Sequence, residues 1–129
     1  MEREEECALS LAPLSFYFLT KNGMSVEVMT KPTKLERYFQ RNLIRELKEK
    51  FKGCIVTKLD SSHIQGIPDL LILWGKHWAT LECKRSARAH RQPNQEHYVE
   101  MMNAMSFSRF IFPENKEEVL NELEQAFRD

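Results

Sequence analysis

The chain is poor in cysteine: Cys7, Cys54 and Cys83 stand far apart, with no paired spacing among them. That argues against a disulfide framework and against a zinc cluster, and it points to a reducing, intracellular setting. The four histidines are scattered as well, so structural zinc is not expected. No run approaches the roughly 20 apolar residues that a membrane-spanning helix needs, so no membrane partner is expected. The apolar segment 7–19 is short, contains Pro13 and follows an acidic start at residues 2–6, whereas a secretory signal carries the opposite charge. Repeats and low-complexity tracts are absent, and no nucleotide cofactor is expected. At 129 residues the chain is long enough for one domain with a proper core and too short for two.

Net charge is zero, yet the charge is unevenly spread. Residues 31–91 hold 14 Lys and Arg against 6 Asp and Glu, while the flanks are acidic, at 2 against 5 before and 3 against 8 after. Such a basic middle suits a polyanionic partner, although charged helices are usually just solvated faces. Arg37, Arg41 and Arg45 recur at four-residue intervals with Lys48 nearby; solubility and phosphate contact explain them equally well. Arg85, Arg88 and Arg91 follow the chemically richest strand and are assigned to gripping a nucleic-acid backbone.

That strand holds the main signal. Pro68-Asp69 is followed, after twelve residues, by Glu82-Cys83-Lys84, with an apolar run and a tight turn between. Residues 69–74 form an apolar run of strand length and read as a central strand buried on both faces, with Asp69 at its entrance. Gly75-Lys76 has the composition of a two-residue hairpin turn with glycine first. On the return strand, 77–84, side chains alternate, so Glu82 and Lys84 share a face while Cys83 enters the core. Pairing the two strands sets Asp69 near that face. Two carboxylates suit a hard divalent cation, and an adjacent lysine suits the charge that develops in phosphodiester cleavage. A solvated strand pair would be the ordinary explanation of Glu82 and Lys84 alone; Gly66-Ile67-Pro68, which stiffens the approach to Asp69, favours a site.

The remaining pattern predicts a helix over about residues 33–52 ended by Gly53, with Leu35, Phe39, Leu43, Leu47 and Phe51 on one face. A strand at 54–59 follows, then a loop through Ser61, Ser62 and Gln65, with His63 as a loop or nucleic-acid contact. After the hairpin come a helix at about 93–105, with Val99, Met102 and Met105 among its buried candidates, and a strand at 109–112. Asn115 is expected to cap a last amphipathic helix bearing Val119, Leu120, Leu123 and Phe127. The order predicts an α/β fold, a mixed sheet flanked by helices. Residues 1–32, with apolar stretches 14–19 and 24–29 around Lys21-Asn22-Gly23, read as an added hairpin or an arm, and 33–129 as the domain proper.

Gly66-Ile-Pro-Asp-Leu-Leu71, Glu82-Cys-Lys84 and Pro93-Asn-Gln95 opening a helix together resemble the virus-type replication-repair nuclease (VRR-NUC) family of the PD-(D/E)XK nuclease superfamily, over about residues 33–112. The resemblance implies a restriction-endonuclease-like core of order αβββαβ, here followed by a C-terminal helix. It matches Glu36 to a glutamate on the first helix and Gln95 to a glutamine on the helix after the Glu-x-Lys strand. Thr33 and Glu36 also have capping-box spacing, which alone would account for Glu36. Gln95 could equally be a solvated helix start, and Tyr98, on the same side, could be core or site.

By this resemblance Asp69, Glu82, the Cys83 backbone carbonyl and Glu36 would hold one or two Mg²⁺ or Mn²⁺ ions, and Lys84 would orient or help deprotonate the attacking water. The implied activity is metal-dependent endonucleolytic hydrolysis of DNA. A homodimer acting on branched DNA such as Holliday junctions, in replication, recombination or repair, is the expected form, in the cytoplasm of a bacterial or phage-infected cell. A flap, nicking or restriction-like nuclease is the alternative enzyme, and a catalytically inactive DNA-binding module the alternative of another class.

Overall fold

Thr33 fixes where the first helix begins. Its hydroxyl accepts the Glu36 N–H at 3.0 Å, the side-chain cap that an unsatisfied helix start needs. A computed structural model describes residues 32–128. From that cap α1 runs over Lys34–Lys50, and Gly53, at φ +88°, turns the chain into β1, Ile55–Lys58. Strands β2, Leu70–Trp74, and β3, His77–Cys83, follow as a hairpin. Its two-residue turn opens on Gly75 at φ +63°, so the expected turn chemistry is the observed one. Helix α2, Pro93–Met105, strand β4, Ser108–Ile111, and helix α3, Lys116–Arg128, complete the order.

Among the described residues the strands form one mixed sheet in the order β1-β2-β3-β4. The first three pair antiparallel, and β4 runs parallel to β3 after the α2 crossover. The architecture is therefore α/β, with three helices and a four-stranded mixed sheet among those residues. One sheet face, with Leu70, Ile72, Ala79, Leu81, Cys83 and Ile111, closes on Leu43, Leu47 and Phe51 of the α1 side and on Leu123 and Phe127 of α3. Helix α2 covers the other face over β3 and β4.

That partial cover corrects three expectations. Strand β2 is central but not buried on both faces, since Leu73 is 40% exposed. It lies opposite Ile55 on β1 and Trp78 on β3, in a row that extends past the reach of α2. Met105, at the last turn of α2, is 59% exposed, while Val99 is buried and Met102 accepts the Thr80 hydroxyl hydrogen bond. Leu35 stands outside the core that Leu43, Leu47 and Phe51 enter, because α1 meets the sheet only beyond its first turn. Asn115 precedes α3 as expected, its carbonyl accepting the Val119 N–H at 2.9 Å, but its side chain is engaged in the turn behind it. Its side-chain oxygen accepts the Phe112 N–H and its amide donates to the Phe110 carbonyl, closing the turn after β4.

The expected arm or hairpin lies outside the described residues, as does Cys7. Among the described residues no helix is long and apolar enough to cross a membrane.

Candidate active site

Asp69 is aimed by the three residues before it. Gly66 lies at φ +93°, and a Cβ placed there would come within 2.4 Å of Asn94 Cβ on α2. The loop therefore crosses α2 at a separation that only glycine permits. Buried Pro68 then restricts φ and leads into β2. Leu70 pairs with Leu81 across the hairpin, which brings Asp69 alongside Glu82. Asp69 Oδ2 accepts the Cys83 N–H at 2.9 Å, tying the carboxylate to the end of β3, where the Cys83 carbonyl also lies.

Glu82, Lys84 and Gln95 form a closed polar set. Lys84 Nζ donates to Gln95 Oε1 at 2.8 Å, and Gln95 Nε2 donates to Glu82 Oε2 at 3.0 Å. The same Glu82 oxygen lies 3.7 Å from Lys84 Nζ. Gln95 Oε1 also accepts the Gln92 N–H at 3.1 Å, which locks the carboxamide against rotation. Gln95 is thus drawn into the site by two charged partners and is not a solvated helix start. Tyr98, half-buried, packs edge-on against His97 and does not line the cleft.

Glu36 reaches the same place from α1. Its N–H is taken by the Thr33 hydroxyl, while its half-buried carboxyl lines the cleft and lies in the electrostatic field of Lys84, Asp69 and Arg85. The helix start thus takes the Glu36 N–H, and the cleft takes its side chain.

The charge balance is the most telling property of the site. Burial raises the Asp69 carboxyl above its ordinary value, opposed by the Cys83 N–H and by Lys84 and Lys58. Glu36 is raised too, chiefly by burial, with Lys84 opposing. Glu82 is pushed well up by burial and then by Asp69, with Lys84 unable to compensate. Burial also pushes the Cys83 thiol well up, in keeping with a core residue. Three carboxylates therefore share essentially one buried ammonium, and Glu82 Oε1, itself buried, has no hydrogen-bond partner among the described residues. A bare buried carboxylate oxygen is costly unless something cationic or a proton donor meets it.

These groups line a cleft of about 930 Å³. One wall is the 58–67 segment, with Lys58, Ser61, Ser62 and Gln65; another is the 84–92 segment, with Arg85, Ala89, His90 and Gln92. Of the basic residues expected to contact nucleic acid, Arg37 and Arg85 line the cleft. Arg41 and Arg88 are exposed elsewhere, Arg45 lines a separate groove, and Arg91 lies 4.0 Å over the Phe110 ring. Lys58 and His90 escaped sequence reasoning. Lys58 ends a strand whose following N–H, Leu59, donates to the Asp69 carbonyl, and only that register brings its ammonium to bear on Asp69. His63 is exposed and outside the cleft lining.

Among the described residues no group of three or more His, Cys, Asp and Glu side chains is assembled closely enough to hold a metal ion. The donors present could instead hold Mg²⁺ or Mn²⁺ through one or two carboxylates, the ion keeping much of its water, which is the usual way proteins bind Mg²⁺. The uncompensated Glu82 Oε1 fits that role. No protein-family model, no curated protein and no solved structure matches the chain.

Proposed function

We propose that this chain is a divalent-cation-dependent nuclease that hydrolyses DNA phosphodiester bonds at the Asp69–Glu82–Lys84 cleft. The observation that carries the reading is the excess of buried negative charge in an open cleft: Glu36, Asp69 and Glu82 against Lys84, with one Glu82 oxygen left bare. A structural ion pair would match charge for charge, whereas a cation-dependent site leaves a deficit for the cation to fill. The element order, with antiparallel β1 to β3 and a parallel β4, is compatible with a restriction-endonuclease-like core. The likeness of its motifs to VRR-NUC nucleases points the same way.

Asp69 and Glu82, with the Cys83 carbonyl, would hold the cation, and Glu36 would reach it through water. Bound there, Mg²⁺ or Mn²⁺ supplies Lewis-acid polarisation of the scissile phosphate and a more acidic water. The chain's own residues do the positioning. Gln95 holds Lys84 Nζ beside Glu82, from where the ammonium would orient the attacking water and offset developing negative charge. Asp69 is held by the Cys83 N–H, which fixes its carboxylate at the cleft wall. Arg37, Arg85 and Lys58 add positive charge at the rim, suited to the flanking phosphates. Branched DNA as substrate and a two-copy assembly, giving paired cuts, follow from the family resemblance.

Incubation with single-stranded, duplex, flap and four-way-junction DNA in Mg²⁺ or Mn²⁺ tests this, beside Asp69→Ala and Lys84→Ala. Cation-dependent cutting, fastest on the junction and lost in both variants, is the expected result. Binding without cutting, unchanged in the variants, would replace the nuclease with a binding module.

A further inference from the structure

Leu35 and Tyr38 share one turn of α1 and are 66% and 61% exposed. Three other large apolar side chains among the described residues are comparably bare: Ile55, Leu73 and Met105, all on the sheet or at the end of α2. With half-buried Phe39, Leu35 and Tyr38 line a groove of about 570 Å³ that Pro113, ahead of α3, helps to close. Its rim is positive. Glu46 and Lys116 neutralise each other at 2.8 Å, while Arg45 and Arg85 form no salt bridge among the described residues. Arg85 lines both this groove and the carboxylate cleft, so the two concavities share a wall.

An exposed aromatic ring and a leucine in a groove lined by two guanidinium groups, of which Arg85 also lies in the field of Glu36, match the two halves of a nucleotide. The flat base stacks on the ring, and the phosphate takes the guanidinium. An apolar peptide would leave the rim charge unanswered, and a second copy of this basic surface would repel it. We propose that the groove binds an unpaired nucleotide of the strand whose neighbouring phosphate occupies the carboxylate cleft. A base within duplex DNA has both faces covered by its neighbours and offers nothing to Tyr38. The groove therefore selects DNA with an unstacked nucleotide next to the cut, as at a branch or a flap. The proposal rests on the reading of the cleft as one for DNA and names which feature of the DNA it selects.

Its test needs no catalysis. A single-stranded oligonucleotide carrying 2-aminopurine is titrated with the whole chain in EDTA, following fluorescence quenching and anisotropy, beside Tyr38→Ala and Tyr38→Phe. The wild type and Tyr38→Phe are expected to quench the probe. Tyr38→Ala should lose the quenching and bind about tenfold more weakly, with its affinity for blunt duplex unchanged. Equal quenching and affinity in Tyr38→Ala overturn the proposal. So does a lowered melting temperature with unchanged oligonucleotide binding, which would place another part of the chain in the groove. A changed sedimentation coefficient with unchanged binding overturns it as well, since it would place a second copy there. A chain that quenches but cleaves nothing keeps the groove and loses the nuclease; one that cleaves without quenching does the reverse.

Discussion

At the scale of single residues, Glu82 concentrates the strain of the site. Its carboxyl, like those of Asp69 and Glu36, is raised by burial. The native state therefore keeps protons that the unfolded chain releases near the ordinary values of 3.8 for Asp and 4.5 for Glu. Stability from these groups is full below those values and is lost as pH rises through the raised folded values. Melting of the cation-free protein followed across pH should show this decline from acid toward neutral pH. Glu82→Gln removes the worst-placed charge, so its profile should be flatter and its melting temperature at neutral pH higher than the wild type's. Mg²⁺ or Mn²⁺ should raise the melting temperature of the wild type and not of the variant, because a cation binding only the folded form stabilises it by mass action. Parallel pH profiles for the two proteins would refute this account of Glu82.

At the scale of elements, the 66–69 segment shows how a loop sets the strand that follows Asp69. Gly66→Ala would force a Cβ toward Asn94 from a left-handed backbone, a conformation costing about 1–3 kcal/mol for other residues, with the close approach adding to it. The expected outcome is a lower denaturation midpoint and slower cleavage together, because relaxing the clash shifts Asp69 away from Glu82; full activity at reduced stability would uncouple the two. Pattern made much of this legible. Alternation put Glu82 and Lys84 on one face, the Gly75 turn was readable from composition, and both helices of the site start where Thr33 and Pro93 indicate. Periodicity does not show which part of a helix meets the sheet, so it assigns Leu35 and Met105 to a core they do not enter. Nor does an apolar run reveal whether a helix lies over it, and Leu73 is exposed because α2 stops over β3. The closeness of Gly66 to Asn94 spans 28 positions of sequence and is visible only once the chain is folded.

At the scale of the whole molecule, charge is divided between the basic middle of the sequence and the acidic stretch that contains α3. The cleft gathers Arg37, Lys58 and Arg85 around the carboxylates, while acidic α3 packs through Leu123 and Phe127 on the same sheet face as α1. Arg37→Ala should weaken DNA binding across sequences and lower the slope of log affinity against log salt by about 1, whereas Arg88→Ala, outside the cleft, should leave the slope unchanged; anisotropy titrations over a salt series read both. The negative charge that Lys84 leaves unmatched among the buried groups of the cleft is expected to hold a divalent cation. Electron paramagnetic resonance of free Mn²⁺, titrated into the protein with a branched oligonucleotide present, tests it most directly. A saturable loss of the free-ion signal with wild type, abolished in Asp69→Asn and in Glu82→Gln, is the predicted result; the same free-ion signal for wild type and both variants would contradict it.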